Sequence, residues 1–197
     1  MTTAPVVKPP DFQAICKVDV EELRRKLLTV GEAVWDAEDA RKENRFACFH
    51  DTRHIIARFI PNNQDPAQFY STPFWAVWQP LLAPVLTRVA QHYGFSTPEF
   101  PKVMFARLAA HTAIDRHVDG AGSNLLTHKI HVPLVTNEAV WFEVGDRRFR
   151  LEEGQAYELN NIRPHGVRND GATDRIHLIF EIMDLGLHPA ADVATPR

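Results

Sequence analysis

The chain has only two cysteines in 197 residues, Cys16 and Cys48, with no CxxC or zinc-finger spacing. That usage points away from a disulfide framework or a thiolate metal site, and it suits a reducing compartment with both thiols free. No run of eighteen apolar residues occurs, so no membrane-spanning helix is expected. Positive charge is not in excess either: 22 Lys and Arg stand against 25 Asp and Glu, a net charge of −3. The densest basic cluster, Arg24-Arg25-Lys26, reads as a solvated helix face, so no nucleic-acid partner is expected. The opening residues lack the basic region and apolar core of a secretory signal, which leaves the cytoplasm as the expected location. Internal repeats and low-complexity tracts are missing too. What is there is an ordinary soluble composition, 45% apolar and 24% charged, in a length that suits one domain with a sizeable core.

The apolar pattern changes character along the chain. Residues 1–15 are expected to form a loose arm and 188–197 a loose tail. Between Asp19 and about residue 44, Val20, Leu23, Leu27, Leu28, Val30, Val34 and Trp35 recur at helical spacing. Asp19 suits an N-cap, and Gly31 weakens the middle, so one helix and two are both compatible with the pattern. Residues 54–59 read as a strand. Residues 74–93 read as a further helix that starts late or breaks at Pro80 and Pro84. From residue 102 the rhythm turns to short strand-like runs at 103–110, 113–118, 127–136, 139–144, 147–151, 155–160, 165–169 and 174–183. Turn signals such as Gly145-Asp146 and Asn169-Asp170-Gly171 separate them. Eight short strands at this spacing predict a sandwich or barrel. The expectation is a helical portion over 16–100 packed on an all-β core over 101–187. Trp141, on one of these strands, is expected in the core rather than in a pocket.

The chemistry-bearing residues fall in that core. His117-Val118-Asp119 is followed by Arg163-Pro164-His165 and then by Arg175-Ile176-His177-Leu178. In an extended segment residues i and i+2 point the same way, roughly 6.6 Å apart, so His117 and Asp119 can aim at one metal. A His-x-Asp triplet by itself is more often a polar strand end; the case rests on a second His and an Arg recurring in order among strands. Two His and one carboxylate leave coordination positions open and point to non-haem Fe(II) and oxygen chemistry. The same donors also satisfy catalytic zinc, as in a redox-inert barrel isomerase or lyase. Arg175 adds a fixed cation for a dicarboxylate co-substrate, which such a zinc enzyme does not need. A non-catalytic small-molecule-binding barrel is the third reading. Lys129 and His131 share one strand face, and Arg175, His177, Ile179 and Glu181 share another. Solvent-facing rows would explain both, and so would a barrel that encloses a polar site.

These segments, with Arg107-Leu108, Ile114-Asp115-Arg116-His117-Val118-Asp119 and Lys129-Ile130-His131-Val132-Pro133-Leu134, resemble the aspartyl/asparaginyl β-hydroxylase family. They look closest to its bacterial branch that includes proline 3-hydroxylases. The resemblance covers roughly residues 100–185. It implies a mainly β fold with flanking helices, a double-stranded β-helix (jelly-roll, cupin-like) core, and the use of Fe(II), 2-oxoglutarate and O₂. It makes His117, Asp119 and His165 the iron ligands and Arg175 the partner of the distal carboxylate of 2-oxoglutarate. It sets His131 near that co-substrate and Lys129 where an arginine is usual. His111 stands where the family commonly has glycine. Asp119 is present, whereas the animal peptidyl aspartate hydroxylases lack the acidic ligand. The implied reaction hydroxylates an unactivated carbon, the β-carbon by analogy, of an amino acid or a peptide Asp/Asn residue. For the substrate carboxylate Arg107 is the first candidate anchor, ahead of Arg53 and Arg163.

Overall fold

Glycine and proline divide the apolar pattern into elements much as their backbone preferences require. A computed structural model of the chain describes residues 5–43, 46–120 and 122–186. The first apolar stripe is split into two helices, α1 (Glu21–Leu27) and α2 (Glu32–Arg41), with Gly31 at the N-cap of the second. Val20, not Asp19, holds the α1 N-cap position. Asp19 still caps from one residue earlier, its Oδ1 accepting the Glu21 N–H at 3.0 Å. A third helix, α3 (Pro73–Tyr93), runs 21 residues without a break. Thr72 caps it by accepting the Phe74 N–H, and Gly94 ends it in the left-handed conformation. Pro80 and Pro84 both lie on its exposed face, where water replaces the hydrogen bonds that proline removes, so the expected break does not occur.

Eleven strands complete the described chain: β1 (Phe12–Lys17), β2 (Thr52–Phe59), β3 (Tyr70–Ser71), β4 (Pro98–Leu108), β5 (Thr112–His117), β6 (His128–Val135), β7 (Val140–Val144), β8 (Arg147–Phe149), β9 (Gln155–Leu159), β10 (His165–Asn169) and β11 (Arg175–Asp184). The eight runs expected after residue 102 correspond in order to β4 through β11. All strand pairings are antiparallel. They form a seven-stranded sheet, β1-β9-β6-β11-β4-β2-β3, and a four-stranded sheet, β5-β10-β7-β8. This is the double-stranded β-helix architecture, mainly β with flanking helices.

One face of the large sheet is covered by the helices. Leu23, Leu27, Trp35, Trp78, Leu82 and Val85 pack there against Ile55, Phe105, Ile130, Val132, Leu178 and Phe180. The other face turns toward the small sheet, with Leu108, Ile114, Val140, Phe142 and Val167 forming a second cluster. Alternation along β11 therefore sends Ile176, Leu178, Phe180 and Ile182 to the helices and Arg175, His177, Ile179 and Glu181 to the interior. The polar rows seen in sequence point inward.

Two expected boundaries differ. The residues expected as a loose arm include most of β1, which pairs with β9 through Phe12↔Leu159. Ahead of it Asn160 Nδ2 donates to Pro9 O at 2.7 Å, and buried Asp11 meets Arg163 at 2.6 Å and Arg147 at 3.0 Å. The portion over 16–100 is also not purely helical. Its β2 pairs with β4 of the core in the same sheet, so no boundary falls near residue 100. The tail over 188–197 lies outside the described residues.

The turn between β4 and β5 explains the departure noted at His111. Its φ is 58°, in the left-handed region that favours glycine. His111→Gly is accordingly expected to raise stability by roughly 0.5–1 kcal/mol, the relief of that backbone strain less glycine's greater unfolded entropy. A urea midpoint that rises at constant slope would verify it, whereas an unchanged or lower midpoint would show that the turn carries no such strain.

Candidate metal centre and its cavity

Antiparallel register brings the triad together. His117, at the end of β5, lies directly opposite His165, at the start of β10. Asp119 follows two residues after His117 in irregular chain, its backbone N–H fixed to Asn161 O at 2.9 Å. His117 Nε2 lies 3.6 Å from Asp119 Oδ1, and His165 Nε2 lies 4.0 Å from Asp119 Oδ2. One ligand atom from each residue falls within 4.8 Å of the others. These separations suit three donors sharing one ion at about 2 Å each.

The ring nitrogens are sorted for that task. His117 Nδ1 lies 2.7 Å from Asp115 O, and His165 Nδ1 lies 2.9 Å from Arg163 O. A carbonyl only accepts, so each Nδ1 carries a proton, which turns each Nε2 toward the other donors. Burial pushes the His165 pKa down to about 4, which keeps the ring a neutral ligand. Burial alone would raise the Asp119 carboxyl. The adjacent Lys129 ammonium outweighs it and holds Asp119 ionised, well below the usual carboxylate range. Lys129 forms a short ion pair with Asp119 Oδ2. Where the family usually has an arginine, the lysine thus places a compact charge on one carboxylate oxygen of Asp119.

The triad opens into a cavity of about 400 Å³ between the two sheets. Lys129, His131 and Arg175 line it. Arg175 is 1% exposed and has no carboxylate partner among the described residues. Its Nη2 donates to His177 Nδ1 at 3.1 Å, while Nε and Nη1 have no partner. Its guanidinium lies 5.0 Å from the centre of the Phe142 ring, and burial lowers its pKa to about 9. A buried unpaired cation costs several kcal/mol. Both ring nitrogens of buried His131 also lack partners. Together they form an apolar-walled socket whose unused donors call for an anion.

The three arginines considered for a substrate carboxylate lie elsewhere. Arg107 alternates to the helix face of β4, where it meets Asp174 and Glu32 and lies over Trp35. Arg53 pairs with Glu32 and Asp36, and Arg163 with Asp11. None lines the cavity. Trp141 is half-buried under the Arg150 guanidinium, outside both core and cavity. Strand pairing instead brings in residues that the sequence did not single out. Lys102 on β4 lies opposite Glu181 and faces the cavity, held by Glu181 at 2.6 Å. Thr52 and His54 on β2 line the same wall. Their signal was positional: each has its inward partner on a strand about 50 residues later or more, visible only once register is known.

A family model described as aspartyl/asparaginyl beta-hydroxylase matches residues 78–184. The chain belongs to this family. Its members are Fe(II)- and 2-oxoglutarate-dependent hydroxylases, and the His-Asp-His triad and cationic socket fit that chemistry. No curated protein matches the chain by sequence. Among solved structures, a 2OG-Fe(II) oxygenase family oxidoreductase from Burkholderia pseudomallei is similar at TM-score 0.54 and 14% identity, covering 93% of this chain and 95% of that one. HygX from Streptomyces hygroscopicus, with nickel and 2-oxoglutarate bound, is similar at TM-score 0.54 and 14% identity, covering 88% and 83%. The viral collagen prolyl hydroxylase of Paramecium Bursaria Chlorella virus-1, a 2-oxoglutarate complex, gives 0.51 and 11%, covering 87% and 94%. At these identities the likeness is one of fold. No helix among the described residues is long and apolar enough to cross a membrane.

The buried histidines carry a pH consequence. Burial lowers the pKa of His54, His131 and His177, whereas in the unfolded chain each titrates near 6.5. Below about pH 6.5 the unfolded state therefore binds more protons, and native stability falls with pH. The metal-free protein should show a lower urea midpoint at pH 5.5 than at pH 7.5, with a shallower dependence in His131→Gln. Equal midpoints at the two pH values would contradict the neutral assignment.

Proposed function

We propose that the protein hydroxylates an unactivated carbon, the β-carbon by analogy with its family, of an amino acid or a peptide Asp/Asn residue. His117, Asp119 and His165 hold Fe(II), and Arg175, His131 and Lys129 receive 2-oxoglutarate. The observation that carries this reading is Arg175: a guanidinium 1% exposed and without a carboxylate, lining the same cavity as a three-donor metal set. A redox-inert metal barrel has no use for such a group. 2-Oxoglutarate is the ligand named with HygX and with the viral prolyl hydroxylase, and its distal carboxylate suits the socket.

When bound, iron(II) with 2-oxoglutarate and O₂ supplies the oxidant that takes hydrogen from a C–H bond, with succinate and CO₂ released. The chain's own residues bind and aim. His117 and His165 turn their Nε2 atoms inward, and Lys129 keeps Asp119 ionised while leaving an oxygen for the metal. Arg175 fixes the far end of the co-substrate, and the apolar walls of Met104, Ile114, Phe142 and Val167 keep the cavity dry. For the substrate carboxylate, Lys102 takes the part first given to Arg107, because it faces the cavity with donors beyond its bond to Glu181. Free Cys16 and Cys48, with a requirement for ferrous iron, suit the reducing cytoplasm, where we place the protein.

The decisive experiment is succinate formation from 2-oxoglutarate with Fe(II) added anaerobically before air, across amino acids and Asp/Asn peptides. Turnover stimulated by one of them supports the reading; no succinate with any, and tight zinc retained, favours the redox-inert barrel. In the active enzyme, Arg175→Met should raise the KM for 2-oxoglutarate on the order of a hundredfold, the loss of a desolvated charge pair. Wild-type behaviour across 2-oxoglutarate concentrations would remove Arg175 from this role. Replacing Lys102 and Glu181 together by Met, so that neither charge is left alone, should raise the KM for the hydroxylated substrate about tenfold. The KM for 2-oxoglutarate should stay within about threefold in that variant; a larger change there would reassign Lys102 to the co-substrate.

A further inference from the structure

Among the described residues Arg175 has a single hydrogen-bonding partner, and that partner is a histidine rather than an acid. We infer that His177 is the positioning residue for the Arg175 guanidinium and so sets the affinity of the site for the distal carboxylate of 2-oxoglutarate. The inference rests on the assignment of Arg175 to the co-substrate and deepens it.

A guanidinium only donates, so the 3.1 Å contact from Arg175 Nη2 requires His177 Nδ1 to be an unprotonated acceptor. His177 is therefore the neutral Nε2–H tautomer. Burial, reinforced by the Arg175 charge, keeps it so by lowering its pKa well below the ordinary value. The ring is 0% exposed and stacks on Phe142 with centroids 5.3 Å apart and planes 11° apart, so its acceptor cannot swing away. The same Phe142 ring lies under the Arg175 guanidinium. His177 and Phe142 together fix the orientation of Arg175.

An acid in place of His177 would have defeated the site. A carboxylate there would neutralise Arg175 and compete with any incoming anion, whereas a neutral imidazole orients the guanidinium and leaves its charge uncompensated. Nη2 carries two hydrogens and His177 takes one. One of the two guanidinium forks therefore remains whole for a bidentate carboxylate. The partnerless Nε and Nη1 are the remaining donors of those forks.

The test measures ligand binding rather than turnover. Calorimetry of the Mn(II)-loaded protein under argon would compare 2-oxoglutarate with 2-oxobutyrate, which keeps the keto-acid end and lacks the distal carboxylate. His177→Phe preserves the stacking and removes the acceptor. It is expected to weaken 2-oxoglutarate binding about tenfold or more, while 2-oxobutyrate changes less than about threefold. His177→Asn, which sets an amide oxygen near the place of Nδ1, should recover binding to within about threefold of wild type. His177→Gln, with its oxygen further out, should not. In an Arg175→Met background, His177→Phe should have no further effect.

The inference is overturned if His177→Phe binds 2-oxoglutarate as wild type does, if both ligands weaken equally, or if the two substitutions add. Should His177→Phe fail to fold by near-ultraviolet circular dichroism, the Asn and Gln variants decide, and equal affinities in those two refute it. Failure of the parent reading looks different: wild type and Arg175→Met would then bind 2-oxoglutarate equally or not at all.

Discussion

An unpaired guanidinium buried between two β-sheets is the constraint around which the interior is organised. Removing Arg175 from water without a carboxylate partner is tolerable only because much else is built to bear it. The Phe142 ring offers its face, His177 offers one neutral acceptor, and the helices on the opposite side of the large sheet supply the apolar burial that keeps the strands in place. The other interior charges are treated differently. Asp119 has Lys129, and Glu181 has Lys102 and Thr127. Of the charged residues on the inward face of β11, Glu181 is matched by Lys102 and Arg175 has no carboxylate partner among the described residues, which is why the co-substrate is proposed to meet Arg175.

The metal triad depends on the same sheets for a different reason. His117 and His165 come from neighbouring strands of the small sheet, and their relative position follows from backbone register. Asp119 is placed by the loop that carries Asn161, through a single backbone hydrogen bond. The two imidazoles are held in one orientation by carbonyls of their own segments, so each Nε2 faces inward before any ion arrives.

Much of this was legible in the sequence, because alternation and turn residues are local signals. The eight strand-like runs after residue 102 became strands in order, and the triad and Arg175 were apparent from spacing and resemblance. Glycine at position 31 marked a true break, and the glycine missing at 111 marked a true left-handed turn. The misreadings share a cause: each depended on a long-range partner. Arg107 was a reasonable anchor by position, but one step of strand alternation sends it to Glu32 and Asp174 on the helix face. β1 follows Pro9-Pro10 and is too short to declare itself; it is a strand because β9 offers it an edge. Lys102 could not be singled out until Glu181 was known to lie across from it.

That edge pairing has a consequence for how the molecule comes to be assembled. β1 is made before every other described strand, yet its partner β9 ends at Leu159, and the tie from Asp11 reaches Arg163. The sheet that carries Arg175 is likewise centred on β11, the last described strand, which lies between β6 and β4. On the ribosome, neither the outer strand nor the middle of the large sheet can be completed until nearly the whole described chain has emerged. Contacts of such sequence separation slow closure and leave early strands waiting with unpaired edges. The barrel therefore closes only once its last described strand has emerged, and that strand carries Arg175.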